Sequence, residues 1–303
     1  MFIIKSLIFY LKEIINHPLK KDKKLLSILN FFVWHIKRRI IYPKGVIVKW
    51  VNNSKIFISK KEMQLRFNIY YGLMEYEEMS FLLHVLRKNI LFIDIGSNAG
   101  AFTILASKVI GANTIAYEPV EDSRERLKKQ IQLNSIENKV EIRSNAIGNY
   151  NGDVFITNNK DEANFLVLDK NTKDKSISKV KITKLDDDIN IKENFFLKID
   201  VEGFEYQVLE GAKKILSSDK LIGVIVEFFW AERYGNSKNQ LLKVLQDNQL
   251  YPIKYNPKTR IFVENLDVVN SNNVIFIKDK NKVEKLCKEA PNFKIHTANG
   301  SNI

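Results

Sequence analysis

Apolar and polar positions change rhythm along the chain. From residue 91 onward, short runs dominated by Ile, Val, Leu and Phe recur at 91–95, 114–118, 140–147, 195–201, 222–229, 251–255 and 273–277. Runs of that length with little alternation read as strands buried on both faces. Stretches near 100–110, 121–134, 205–217 and 236–248 carry apolar residues every three or four positions, the spacing of a helix with one buried face. Strand–helix–strand repeats of this size predict a mostly parallel sheet with helices on both sides. No helical stretch separates 251–255 from 273–277, so these two read as a terminal antiparallel pair. The expected architecture is α/β and Rossmann-like, with a seven-stranded sheet.

The flanks follow other patterns. "KGVIVKWVNNSKIFISK" (44–60) alternates like two short strands joined at Asn52 and Asn53. Residues 64–86 lead into a helix through Glu75, Glu77 and Glu78, acids that suit the positive end of the helix dipole. Residues 148–185 are polar and weakly patterned; "DVFIT" and "SKVKITKL" read as hairpin strands in an insertion over the sheet edge. The expected division is a helical extension over 1–45, a strand and helix lead-in over 46–86, the main domain over 87–280 with its insertion at 148–185, and a short helix with a loose tail over 281–303.

Charge changes the picture at the N-terminus alone. The net charge is +13, and residues 1–50 hold eleven Lys and Arg against Glu13 and Asp22, so nine of the thirteen net charges lie there. Phe2, Ile3, Leu7, Tyr10, Leu11, Ile14 and Ile15 recur at helical spacing. The extension reads either as helices packed on the body or as a basic amphipathic surface resting on anionic lipid. No run there is long and apolar enough to cross a bilayer, and no small-residue cleavage site follows it. Cys287 is the single cysteine, which excludes an internal disulfide and a multi-cysteine zinc site. The expected location is the cytoplasm, or the inner face of its membrane.

Candidate chemistry begins at "LFIDIGSNAGAFTILA" (91–106), a strand, a tight turn and a helix. Gly96 permits the turn, and Gly100 lets a neighbour approach the helix start. Asn98 stands where a dinucleotide fingerprint needs its middle glycine, so close approach to a pyrophosphate is not provided for. Asp94 ends the first strand with a negative charge, which repels phosphate and attracts an amino group or a sulfonium. Glu118 ends the second strand in "TIAYEP", where an acid accepts hydrogen bonds from both ribose hydroxyls. Acid, glycine turn and second acid together suit S-adenosylmethionine. "SNAIG" (144–148) follows the third strand, with Asn145 and Ala146 as candidate adenine contacts.

"LKIDVEGFEYQVLEGA" (197–212) puts Asp200 and Glu202 at the end of a buried strand and Glu205 just beyond Gly203. Strand ends of an open α/β sheet face the ligand crevice. Asp200 or Glu202 is therefore expected to take a proton from an acceptor hydroxyl, with the other orienting the acceptor. Glu205 is expected to serve the first turn of the following helix. Glu227, at the end of the next strand in "VIVEFF", is a candidate substrate contact. No resident metal is expected, although Asp200, Glu202 and Glu227 form a set that could instead hold Mg²⁺. His17, His35, His84 and His296 all lie away from these strand ends.

"FIDIGSNAGAFT", "AYEP", "NAIG", "KLDD", "LKIDVEGFEYQVLEGA" and "IVEF" follow in the order and spacing of the FkbM-type methyltransferases, which this chain resembles over about residues 72–230. The resemblance implies a class I S-adenosylmethionine-dependent fold and methylation of hydroxyl oxygens, often on sugars of glycans, glycolipids or natural products. It also implies cofactor roles for Asp94, Gly96, Asn98, Gly100 and Glu118. Ser97, counted with them, stands where many members have Ala, and the stretch at 198–205 would line the active site. Competing readings are a nucleic-acid methyltransferase, a nicotinamide-dependent enzyme and a non-catalytic partner of a glycan-assembly complex. The charge lies in the extension and no Asn/Asp-Pro-Pro-aromatic loop is present, so no nucleic-acid partner is expected.

Overall fold

The computed structural model describes residues 2–59, 62–158, 164–167, 176–298 and 300–303. The side chains of residues 2–7, 22, 63 and 64, with Phe2, Ile3 and Leu7 of the expected N-terminal apolar face, lie outside the described set, as does the middle of the 148–185 insertion. Helices α1 (Phe2–Asn16) and α2 (Lys24–Ile40) come first. Strands β1 (Val46–Lys49) and β2 (Lys55–Ile58) pair antiparallel around a turn in which Asn52 takes φ +48°. Helices α3 (Met63–Tyr71) and α4 (Tyr76–Val85) then lead to the main sheet.

That sheet starts with β3 (Leu91–Ile95), whose apolar run is buried on both faces. Helix α5 (Ala101–Ile104) continues as a π-helical segment through Ile110 and leads to β4 (Thr114–Tyr117). Helix α6 (Glu121–Asn134) and β5 (Val140–Arg143) complete this half. The chain next builds a small four-stranded sheet from β6 (Ala146–Ile147), β7 (Gly152–Thr157), β8 (Leu166–Val167) and β9 (Ile177–Thr183). Within it β7 and β9 are the expected hairpin strands, with Gly152 opposite Ile182. The short helix α7 (Leu185–Asp188) returns the chain to β10 (Phe195–Ile199). Helices α8 (Glu205–Glu210) and α9 (Lys213–Ser217), strand β11 (Leu221–Glu227), helix α10 (Lys238–Asp247), strands β12 (Tyr251–Asn256), β13 (Ile261–Glu264) and β14 (Asn273–Ile277), and helix α11 (Lys280–Glu289) follow.

The main sheet has the order β13-β12-β14-β11-β10-β3-β4-β5. Strands β11, β10, β3, β4 and β5 run parallel, whereas β14, β12 and β13 are joined by antiparallel pairings. Side chains alternate across it. Phe92, Phe196 and Ile225 pack on the side of α4, and Ile93, Leu197 and Val224 on the side of α8. Helices on both faces explain why these strands read as continuous apolar runs.

The structure corrects the expected pattern at four places. The sheet has eight strands, because 261–264 adds an edge strand in which Phe262 alone is buried. The run 140–147 breaks after Arg143 and serves two sheets. The helix over 205–217 is interrupted at Gly211, where a Cβ would lie 1.8 Å from the Gly148 carbonyl oxygen. The C-terminal segment is packed, not loose. Its Phe293, Ile295 and Ile303 are buried, and Phe293 and Ile303 exchange backbone hydrogen bonds.

Candidate active site

Strand order reverses between β3 and β10. From β3 the chain moves to β4 and β5 on one side, then crosses to β10 and β11 on the other. An open parallel sheet splits at such a point, leaving a crevice at the carboxyl ends of its strands. The loops after β3 and β10 meet there: the Asp200 amide donates to the Ile95 carbonyl at 3.0 Å. Gly96 has φ +81°, and a Cβ on it would lie 1.8 Å from the Asp200 carbonyl oxygen. Any side chain at 96 would push the two loops apart.

Glu118 holds the glycine turn in place. Its carboxylate accepts from the Asn98 amide at 2.8 Å and from the Val120 amide at 2.9 Å, while the Gly96 and Ser97 amides donate to the Tyr117 carbonyl. Burial pushes this carboxyl up to about 7 despite those bonds and the nearby Arg126 and Arg124. Each of its oxygens keeps accepting capacity for a ligand.

A cavity of about 490 Å³ occupies the crevice, a size typical of small-molecule sites, roughly 300–1,000 Å³. Of the residues singled out in the sequence, Gly96, Asn98, Glu118, Asn145, Ala146, Asp200, Glu202 and Glu227 line it. Asp94, Ser97 and Gly100 do not. Asp94 is 1% exposed and faces the helix side of the sheet, where Thr103 Oγ1 donates to it at 2.7 Å. Asp94 is in register with Lys198, two residues before Asp200, so it lies a strand step below the lining. Gly100, at φ +87°, opens α5 beneath the loop, and a Cβ on it would strike Leu127. Ser97 is buried.

Lys198 supplies the counter-charge at the end of β10. This lysine is 3% exposed, its Nζ lies 2.6 Å from Asp200 Oδ2, and its strand position is in register with Asp94. Burial alone would lower its ammonium, but Asp200, Glu75 and Asp94 hold it above its ordinary value. Beyond it, one oxygen each of Asp200, Glu202 and Glu227 lies within 4.8 Å of the others. Glu202 takes φ +58°, and its Oε2 is 3.8 Å from Arg233 Nη1. Burial, then Asp200, pushes Glu202 up to about 7. Glu227 is pushed further, to about 10, by burial and then by Asp200, Glu205 and Glu202. Glu205 does not line the cavity; its Oε1 accepts from the Val201 and Gly203 amides at 3.0 and 3.1 Å, so it ties the loop before α8 rather than the helix's first turn.

Several site residues escaped the sequence reading. Glu75 precedes α4, lines the cavity, and accepts from Asn273 Nδ2 at 3.0 Å. Burial raises its carboxyl to about 7. Glu13 of α1 also lines the cavity. A signal existed for Lys198 alone, since alternation along β10 sets it on the same side as Asp200. The four histidines stay outside; His84 is buried with Nδ1 2.6 Å from the Tyr255 hydroxyl.

Among the described residues the lining carries six carboxylates, Glu13, Glu75, Glu118, Asp200, Glu202 and Glu227, and no Lys, Arg or His. Such a lining repels phosphate and fits a ligand with an amino group, a cationic sulfur and a ribose. Sheet, glycine turn and acidic crevice together define a class I S-adenosylmethionine-dependent methyltransferase domain. The model of the methyltransferase FkbM domain matches residues 94–251, just over half of the chain, and the chain belongs to that family. It is similar to a crystal structure of methyltransferase FkbM from Methylobacillus flagellatus, with 15% identity, 73% of this chain and 55% of that one covered, and a TM-score of 0.43. The chain thus spans about half the length of that protein. A methyltransferase from Streptococcus mutans in complex with SAH is 14% identical, with 67% and 96% covered and a TM-score of 0.40. A TehB-like SAM-dependent methyltransferase from Corynebacterium glutamicum is 12% identical, with 71% and 95% covered and a TM-score of 0.39. No curated protein matches the chain.

Proposed function

We propose that this chain transfers a methyl group from S-adenosylmethionine to a hydroxyl of a sugar carried by a glycan, glycolipid or natural product. The observation that carries the reading is a crevice at the sheet's switch point lined by acids and, among the described residues, without a cation. Carboxylates and the amides of Asn145, Asn164, Asn272 and Asn273 suit a neutral, hydroxyl-rich acceptor, whereas a nucleic acid would bring phosphates into a negative cavity.

Gly96 and Asn98 would border the cofactor's amino acid, Glu118 would accept from its ribose hydroxyls, and Asn145 and Ala146 would flank its adenine. Asp94, Ser97 and Gly100 support the loop from beneath. The cofactor supplies an activated methyl group on a sulfonium. The acceptor hydroxyl must lose a proton, and Glu202, raised to about 7, is matched to that task near neutral pH. Asp200 is held by Lys198 at 2.6 Å, which fixes its carboxylate as an anchor for the acceptor. Glu227, protonated at neutral pH, donates a hydrogen bond to the acceptor.

Glu202→Gln is expected to lower kcat about 10²- to 10⁴-fold while leaving S-adenosylhomocysteine binding within a factor of two or so; full turnover in the variant would remove Glu202 from the role. A second reading is favoured by the approach of Asp200, Glu202 and Glu227 to within 4.8 Å, a spacing at which three carboxylates can share a divalent cation. Dialysis against EDTA separates the two. Unchanged turnover supports proton transfer alone, and activity restored only by Mg²⁺ supports the metal.

A further inference from the structure

Helix α2 carries two apolar faces, and one of them is turned to water. The inner face packs: Phe31 is buried, with its ring 5.1 Å from that of Tyr70 of α3. On the opposite side, Leu25, Leu29, Phe32, Ile36 and Ile40 follow one another at spacings of three or four and form a single stripe. They are 80%, 61%, 42%, 58% and 75% exposed. Scattered apolar residues on a surface need no explanation, but a continuous stripe along a helix of 17 residues marks an interaction face.

We propose that this stripe docks on an anionic lipid bilayer, with α2 lying in the plane of the interface. Charge complementarity selects that occupant. Lys37 and Arg39 fall on the two edges of the stripe at 3.6 residues per turn, and both are exposed. Lys21, Lys23, Lys24 and Lys44 add exposed cations at the ends of the helix. Apolar centre with basic edges is the arrangement of an interfacial helix, whose cations meet lipid headgroups while its apolar face enters the acyl boundary. Among the described residues no helix is long and apolar enough to cross a membrane, so α2 rests on the surface. Docking also brings the catalytic cavity to the bilayer, because α1 packs on α2 and its Glu13 lines that cavity.

The test is flotation of the full chain with vesicles of phosphatidylcholine alone, or of phosphatidylcholine and phosphatidylglycerol in equal parts. Binding is expected with the anionic vesicles only, and high salt should weaken it. Lys37→Gln with Arg39→Gln should weaken partitioning about 25-fold, at about 1 kcal/mol per surface cation. Leu29→Glu with Phe32→Glu should lose about tenfold or more. Neither pair touches the crevice, so S-adenosylhomocysteine binding and circular dichroism should match the native protein. Absence of native binding to anionic vesicles, or binding by both variant pairs as strong as that of the native protein, would overturn the proposal. So would a native dimer, seen by light scattering, that Leu29→Glu with Phe32→Glu dissolves, for the stripe would then be a contact between two copies.

Discussion

At the scale of residues, the site is a problem of like charges solved unequally. Asp200 has its own lysine, Glu202 shares a distant guanidinium, and Glu227 has no partner among the described residues. Unequal compensation separates the protonation of Glu202, at about 7, from that of Glu227, at about 10. With Glu202 at about 7, kcat/KM should rise with pH and level off above about pH 7, and Glu202→Gln should flatten that limb. Stability should show the opposite sign for Glu227. Its folded value of about 10 exceeds the ordinary 4.5, so its contribution is full below 4.5 and is lost as pH rises toward 10. Glu227→Gln should therefore match the native protein in urea unfolding at pH 4 and exceed it at pH 7 by ~1–3 kcal/mol. Lys198 is the converse case. Lys198→Met should cost about 3–5 kcal/mol, because buried Asp94 and partly buried Asp200 would lose their compensating charge. The acids were visible in the sequence as chemistry, but which of them shared a counter-charge depended on distances that only the fold sets.

At the scale of elements, the site is two loops that touch. The stretch after β3 and the stretch after β10 lie about a hundred residues apart in sequence; a missing Cβ at Gly96 lets them close. Gly96→Ala should cost ~1–3 kcal/mol for its positive φ alone, with the clash against Asp200 added, and should abolish the thermal shift produced by S-adenosylhomocysteine. The parallel strands and α6 were legible because buried strands and one-sided helices leave strong patterns. Strand β13 was not, since an edge strand with one buried residue carries almost no period. The C-terminal segment was misread for a related reason. Its burial comes from single residues, Phe293, Ile295 and Ile303, that fill gaps beside Trp50 and Val51 and follow no repeat. Asp94, expected at the cofactor, lies outside the cavity lining: it is in register with Lys198, a strand step below Asp200, and is buried against Thr103.

At the scale of the whole molecule, charge is sorted by place. The protein is basic overall, with nine of its thirteen net charges in the first 50 residues, yet the crevice is lined by six acids and no base among the described residues. A net charge read from composition would suggest a polyanion as substrate; its distribution assigns the cations to α1, α2 and their surroundings and keeps phosphate from the crevice. The claim on which the rest depends is that this crevice holds S-adenosylmethionine. Calorimetric titration of the full chain tests it directly, with S-adenosylmethionine, S-adenosylhomocysteine and NADH as ligands and Glu118→Ala as the companion variant. The expected result is one site per chain for both sulfur nucleosides, no heat with NADH, and binding weakened at least about tenfold in Glu118→Ala, the equivalent of about one hydrogen bond to a charged group. No binding of either sulfur nucleoside, or saturable binding of NADH, would contradict it.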